Sequence, residues 1–382
     1  MVDITLVRSA NSIIYDPRVR KIIGSLSKKY STSAVGWNRD GISQEKINNY
    51  VIKLELFNLK TSFWKPSLIR ILIRLIVFFP PFWMWIFVKL LRNRPRVVYA
   101  CDLDTFLPCY IYKLLFRKKL IFDVFDRYGM ALIPQRFKKL CSLINFLEEL
   151  SAKHSDALII AGGEKVLRTF HKIPNCCEIL LNCPSDYFNY SGKQKSELCP
   201  DTDQDFKIVY TGVIKRERAL ENVVDAIRDL EFVSFVMAGP VIDVDLLHKI
   251  KKFHGAKYLG LLQPTEALSL EASSNVLVAL YNPRVMWNMM TLPNKLFEAM
   301  MCGIPIITNI ARDIVNETGC GIIVEYDNIK QIKESIMTLR DNPDLCKKLG
   351  DNGRKAFLEK YNWKVMEQKL YKICDNLLKI KN

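Results

Sequence analysis

Lys295 and Glu298 are the only charges in the otherwise apolar stretch TLPNKLFEAMMCGIPIITN, residues 291–309. Being three residues apart, they project from one face of a helix. Pro293 suits that helix's first turn, where a missing N–H costs nothing, and Gly303 followed by Pro305 is a stop signal. Residues 304–307 then read as a short buried strand. A helix N-terminus offers free backbone N–H groups and the positive end of a dipole, so a lysine placed there favours a phosphate. On spacing alone, the competing reading is a solvent-facing ion pair worth a few tenths of a kcal/mol. Other residues invite the same choice. Lys215, Arg216 and Arg218 form a basic turn that is either solvated or aimed at an anion. Asp16 stands before Pro17 as a helix cap would. Asp102 and Asp104 have metal-like spacing, but a helix start after them explains Asp104 as a cap.

These residues are spread over an alternation of short β-rich runs and helical stretches. ITLVRS, RVVYACD, KLIFDVFD, ALIIAG and EILLN precede residue 183, whereas KIVYTG, SFVMAG, KYLGLL, NVLVALYN, IPIITN and GIIVE follow residue 206. Such alternation predicts two α/β domains with parallel sheets. The polar, turn-rich segment 185–205 reads as the linker between them. A length of 382 residues agrees with two cores. Neither half carries a G-x-G-x-x-G turn or a Walker A loop, which removes the main support for dinucleotide or P-loop chemistry.

Charge is divided unevenly. Residues 1–185 hold 29 Lys+Arg against 14 Asp+Glu, a net +15, and residues 186–382 hold 27 against 26, a net +1. A basic surface therefore belongs to the N-terminal half. Within it, segment 66–96 has an apolar stretch of 14 residues between Arg74 and Lys89, interrupted by Pro80-Pro81. That is short of the roughly 20 residues a spanning helix needs. Phe82, Trp83 and Trp85, flanked by Arg70, Arg74, Lys89, Arg92, Arg94 and Arg96, suit an interfacial helix pair on an anionic leaflet, with a core helix under a snorkelling basic rim as the alternative. Eleven cysteines show no C-x-x-C or zinc spacing, and Cys176 and Cys177 read as small loop residues. With no secretory pattern at MVDITLVRS, the expectation is a reduced, cytoplasmic, peripherally membrane-associated chain without a structural metal.

The 291–309 stretch resembles the donor-site segment of GT-B glycosyltransferases, especially glycosyltransferase family 4. DPRVRKIIGSLSKKYSTSAVGW (16–37), LEELSAKHSDALIIAGGEKVLRTF with EILLNCPSDYF, IVYTGVIKRERALENVVDAI (208–227) and YLGLLQPTEALSLEASSNVLVALYNP (258–283) resemble further segments of that family, in the family's order. The resemblance implies an α/β GT-B fold, two Rossmann-like domains with parallel sheets facing a central cleft. Residues 1–185 would bind the acceptor and dock on a membrane, residues 206–360 would bind the nucleotide sugar, and the helix in 361–382 would pack back on the first domain.

Carried over residue by residue, Glu298 matches the glutamate that binds ribose hydroxyls. Lys295 and Arg218 match the basic residues that neutralise the diphosphate, with Lys215 and Arg216 close enough to share the role. Charge that builds on a departing nucleoside diphosphate is stabilised in such enzymes by cations and helix ends, with no metal cofactor expected. The chain departs from the pattern at Met290, where a sugar-contacting glutamate usually stands, which leaves sugar contacts to backbone groups of Met290, Thr291 and Leu292, with Asn294 also on the donor side. It departs again at Gly212-Val213, where Gly-Arg is usual, and at Phe125, where many relatives have a histidine. Asp126 is then the nearest candidate for the sugar or the acceptor hydroxyl, with a plain turn aspartate as the alternative. Asp16 and Arg18 are placed on the acceptor side, and Tyr15 and Asp102 are weaker candidates.

The resemblance implies a retaining transfer from a nucleotide-sugar donor, and segment 66–96 with the charge asymmetry points to a lipid-linked glycan acceptor at an anionic membrane surface, in cell-surface polysaccharide assembly. Two alternatives stay open, a sugar-nucleotide epimerase on the same fold and a non-catalytic basic protein that binds membrane or nucleic acid. The aromatic residues of the basic half sit in an apolar block instead of being interleaved as stacking platforms, so no nucleic-acid partner is expected.

Overall fold

The computed structural model describes residues 2–9, 13, 16–39, 53–59, 77–187 and 206–379. Tyr15, Arg70, Arg74 and most of the expected linker lie outside them. The chain divides into two compact units, one of Met1–Asn182 with Met366–Asn382 and the other of Cys183–Val365.

In the first unit the strands are β1 (Ile4–Arg8), β2 (Thr32–Trp37), β3 (Lys53–Phe57), β4 (Val97–Cys101), β5 (Lys119–Val124), β6 (Ala157–Ile160) and β7 (Cys176–Ile179). They form one parallel sheet in the order β3-β2-β1-β4-β5-β6-β7. The reversal of order between β1 and β4 is the topological switch point of a doubly wound sheet. β1, β4 and β6 are buried along their whole length, as strands covered on both faces must be. Helices α1 (Pro17–Lys29), α2 (Phe79–Asn93), α3 (Leu103–Phe116), α4 (Tyr128–Ala131), α5 (Lys138–His154) and α6 (Glu164–Leu167) connect the strands. Cys176 and Cys177 belong to β7, so the loop expected there is a strand that begins earlier than EILLN suggested.

The second unit has β8 (Phe206–Thr211), β9 (Val233–Ala238), β10 (Ala256–Tyr258), β11 (Val276–Ala279), β12 (Ile306–Thr308) and β13 (Gly321–Ile323). Its parallel order is β10-β9-β8-β11-β12-β13, with the switch point between β8 and β11. The helices are α7 (Leu220–Ile227), α8 (Val244–Lys251), α9 (Pro264–Ala272), α10 (Met286–Met290), α11 (Asn294–Cys302), α12 (Arg312–Thr318), α13 (Ile329–Asp341) and α14 (Pro343–Glu359). Ile208, Phe235, Val276, Ile332 and Ile336 anchor the core. Both units are thus Rossmann-like, as the alternation of runs predicts.

The last helix, α15 (Trp363–Leu378), joins the first unit from Met366 onward. It docks on α1. The Tyr371 hydroxyl donates to the Ser25 carbonyl at 2.9 Å, Lys29 pairs with Asp375 at 2.6 Å, and the Tyr30 hydroxyl donates to Asp375 at 2.7 Å. Leu370, Ile373 and Cys374 are buried beneath these contacts.

The aromatic block of α2 corrects one expectation. Phe82 does not face outward. It is fully buried, with ring centroids 4.7 Å from Trp37, 5.6 Å from Phe57 and 6.2 Å from Trp85. Trp83 and Trp85 are half-buried, and the Trp83 indole donates to the Asp104 carbonyl at 2.7 Å. Under a sheet whose outer strands carry Trp37 and Phe57, this aromatic face gains more by filling the core than by meeting solvent. Among the described residues, no helix is long and apolar enough to cross a membrane.

Candidate functional site

In the second unit, α11 begins at Asn294 with Pro293 in extended conformation at the cap position, one residue outside the expected place. It ends at Gly303, whose φ of 65° is the left-handed conformation a helix stop requires. Lys295 and Glu298 form an ion pair on the face predicted for them, each with 19% of its side chain exposed. They are not alone. Glu271, at the end of α9, is fully buried and lies 2.7 Å from the Lys295 ammonium. The Thr211 hydroxyl, on the last residue of β8, donates to the same Glu271 oxygen, and the other carboxylate oxygen has no hydrogen-bond partner. Burial pushes the Glu271 carboxyl upward, with Lys295 opposing. The two glutamates hold the Lys295 ammonium charged to well above its ordinary range against its own desolvation.

Arg218 lies at the end of a 3-10 turn, Arg216–Arg218, that follows β8. Its guanidinium stacks on the Tyr281 ring at 3.8 Å, and its Nη1 is buried without a hydrogen-bond partner. Burial raises the Tyr281 hydroxyl, with Arg218 and Lys295 opposing, which puts both cations in one neighbourhood. Gly212 has φ 150° and its carbonyl lies where a side chain on Gly239 would stand, so the backbone passes this corner at close quarters. Thr291 and Leu292 are half-buried just ahead of α11, and Asn294 is exposed in its first turn. Lys215 faces Glu217 at 4.0 Å, while Arg216 is paired with Asp243 at 2.7 Å. Past the carboxyl ends of β11 and β13, Pro283 and the loop 325–329 frame a hollow of about 460 Å³. Lys295, Glu298 and Arg218 therefore gather at the carboxyl edge of the sheet, beside its switch point, where doubly wound folds bind ligands.

Sequence reasoning missed Glu271, Thr211 and Tyr281. In PTEALSLEASS nothing distinguishes Glu266, which closes a capping box with Gln263, from Glu271, which is buried against Lys295. Only the packing of α9 on α11 separates them.

The first unit carries its own buried ionic network at the carboxyl ends of β1, β4 and β5. Asp16 caps α1, accepting from the Arg18 and Val19 amides at 3.0 and 3.2 Å. Arg18 is buried and grips Asp123 at 2.9 and 3.1 Å. Arg8 bonds Asp102 and lies 3.4 Å from Asp16. Burial pushes the Asp102 carboxyl up to about 7 against the pull of Arg8. Asp16 and Arg18 thus serve the fold, and the expected acceptor-side role is corrected by their burial. Asp104 bonds the Ser9 hydroxyl and does not cap α3, contrary to its sequence reading. Phe125, where a histidine was expected, lies under the Arg8 and Arg18 guanidinium groups at 4.0 and 4.8 Å. Asp126, next to it, is exposed past β5, and its amide is 3.5 Å from an Asp102 oxygen.

Two parallel doubly wound sheets, the second with a cation-and-carboxylate corner at its switch point, have the architecture of the GT-B fold. Residues 199–356 match the family model described as glycosyl transferases group 1. The chain is similar to the uncharacterized glycosyltransferase MJ1178 of Methanocaldococcus jannaschii, at 26% identity over 250 residues, 60% of this chain and 68% of that protein. Among solved structures it is similar in fold to Anabaena Alr3699/HepE in complex with UDP and glucose. The TM-score is 0.73 at 12% identity, covering 98% of this chain and all of that one. It is also similar in fold to a putative UDP-N-acetylglucosamine 2-epimerase from Listeria monocytogenes, with TM-score 0.65 at 11% identity and coverage of 100% and 98%.

Proposed function

We propose that the chain moves a sugar from a nucleoside-diphosphate sugar, of the UDP type, to a lipid-linked glycan at the cytoplasmic face of a membrane, with retention at the anomeric carbon, as part of surface polysaccharide assembly. The observation that carries the donor half is the gathering of Lys295, Glu298 and Arg218 at the switch point of the second sheet. A carboxylate that keeps some exposure accepts two ribose hydroxyl hydrogen bonds at once. Two cations beside a helix N-terminus stabilise the charge that builds on the departing diphosphate. Gly212, Thr291, Leu292 and Asn294 supply the backbone around that anion, and Lys215 stands at its margin. Asp126, exposed at the carboxyl edge of the first sheet, is assigned to the acceptor hydroxyl or the transferred sugar. No metal is assigned to the reaction.

A thermal-shift screen against UDP, GDP and ADP and their sugars tests the donor half. The best ligand's stabilisation is expected to vanish in Glu298→Ala and Lys295→Ala, and a full shift in both would refute the site. Asp126→Asn is expected to keep nucleotide binding and lose turnover. The fold likeness to a putative epimerase favours one rival, epimerisation of the nucleotide sugar. Release of an epimer in the absence of any acceptor would establish that rival instead.

A further inference from the structure

We propose that a cavity in the first unit, enclosed by α2, α3, α4 and α5, holds the hydrocarbon chain of a membrane lipid. Its volume is about 770 Å³, and its lining is apolar except at Arg39, Asp104, Tyr110, Tyr128, Ser151 and His154. That is the size and character of a ligand pocket rather than a packing defect, since native interiors leave few voids larger than a water. On α5 its lining runs from Ile144 to His154, about 15 Å at the rise of a helix. That length along one wall suits a hydrocarbon chain.

The mouth shows from which phase the occupant comes. Leu107, Leu132, Leu147 and Leu150 line the cavity and are each 37–54% exposed, so its lip is leucine. Outward from that lip, two packed helices carry exposed apolar stripes. On α3, Leu107, Ile111, Leu114 and Leu115 recur at helical spacing with up to 65% exposure, and on α5, Leu143, Phe146, Leu147 and Leu150 do the same with up to 61%. An apolar pocket continuous with an exposed apolar face draws its ligand from an apolar phase. The exposed cations Arg117, Arg136, Lys138, Lys139 and Lys153 on and beside the same helices match an anionic bilayer surface. This face, and not Phe82, is where the membrane expectation finds structural support.

Ser151 and His154 stand at the far end of α5, and the charged Arg39 and Asp104 give the chain a direction. Arg39, Asp104 and Tyr128 follow the carboxyl ends of β2, β4 and β5, the edge that also carries Asp126. A lipid with its tail along α5 presents its headgroup at that edge, so the proposal rests on the transferase reading in taking the lipid for the acceptor's carrier.

Farnesyl phosphate and decyl phosphate, each below its micelle concentration, are the probes, with inorganic phosphate as the chainless control. One or both alkyl phosphates are expected to raise the melting temperature saturably while phosphate does not. The tighter of the two identifies the chain as isoprenoid or straight. Leu107→Trp and Leu147→Trp, whose added volume enters the cavity from its lip, are expected to weaken that binding by roughly tenfold or more. An unchanged far-UV circular-dichroism spectrum in both certifies their folding, because the nucleotide shift reports on the second unit. Unchanged alkyl-phosphate binding in both variants, or none in the native chain, overturns the proposal. A lipid-free dimer that Leu115→Glu dissolves would give the face to a second copy and overturn it as well. The donor reading is judged separately, by nucleotide binding in Glu298→Ala, so the two fail independently.

Discussion

Lys295→Met tests whether the Lys295 corner is organised as described. The ammonium stands 2.7 Å from a fully buried carboxylate, Glu271, and also pairs with Glu298. Methionine keeps the length of the side chain and removes its charge. Taking one partner from a buried pair leaves an uncompensated charge, which costs about 3–5 kcal/mol. For a unit of this size that is about 2–4 °C in Tm for each kcal/mol. The cost depends on pH. Without Lys295, the Glu271 carboxyl is raised further above its unfolded value, so the folded state binds the extra proton and stability falls as pH rises between the two values. The slope is about 1.4 kcal/mol per pH unit in that window. In the native chain the sign for Lys295 is the ordinary one for a cation with partners. Its contribution is complete below the unfolded lysine value and is lost only as pH rises through the higher folded one. Urea unfolding at pH 8 and pH 5 should therefore show the larger loss at pH 8, by up to about 1.4 kcal/mol, since burial already raises the native Glu271 carboxyl to about 7. Adding Glu271→Gln to Lys295→Met removes the stranded charge and should recover most of the loss at pH 8. Equal losses at both pH values, or a double variant no more stable than the single one, would refute a buried Glu271 charge held by Lys295.

Two further outcomes follow from the first unit. Phe82→Ala should cost about 3–5 kcal/mol in urea unfolding, because it empties a site among Trp37, Phe57 and Trp85, and should leave vesicle binding by the folded protein unchanged. Burial pushes the Glu148 carboxyl up to about 7, with the Tyr128 amide and Arg127 opposing. A carboxyl raised on folding favours the folded state at low pH, so Tm should decline from about pH 4.5 to pH 7, and Glu148→Gln should flatten that decline in a differential scanning series.

How much of this was legible beforehand varies by residue. The strands were readable because parallel strands covered on both faces are continuous apolar runs, and each of VVYAC, LIFDV and ALII stands out from its surroundings. The helix carrying Lys295 and Glu298 was readable from Pro293, Gly303 and a spacing of three. Phe82, Arg18 and Glu271 were not. Local pattern says only that an aromatic block flanked by arginines is amphipathic, and the same pattern serves a bilayer or a core.

What the sequence by itself determined, then, are the properties carried by neighbours along the chain. They are two α/β halves, a strongly basic first half, and a lysine and a glutamate on one face of a short helix. Tertiary structure alone decided the properties that depend on partners far apart in sequence. Glu271 reaches Lys295 from 24 residues away, and Arg18 meets Asp123 from 105 residues away. The leucine lip of the cavity is assembled from α3, α5 and the turn after α4. Burial decides whether a charge is a surface ornament or a held group, and burial is a property of the packed fold and not of the residue.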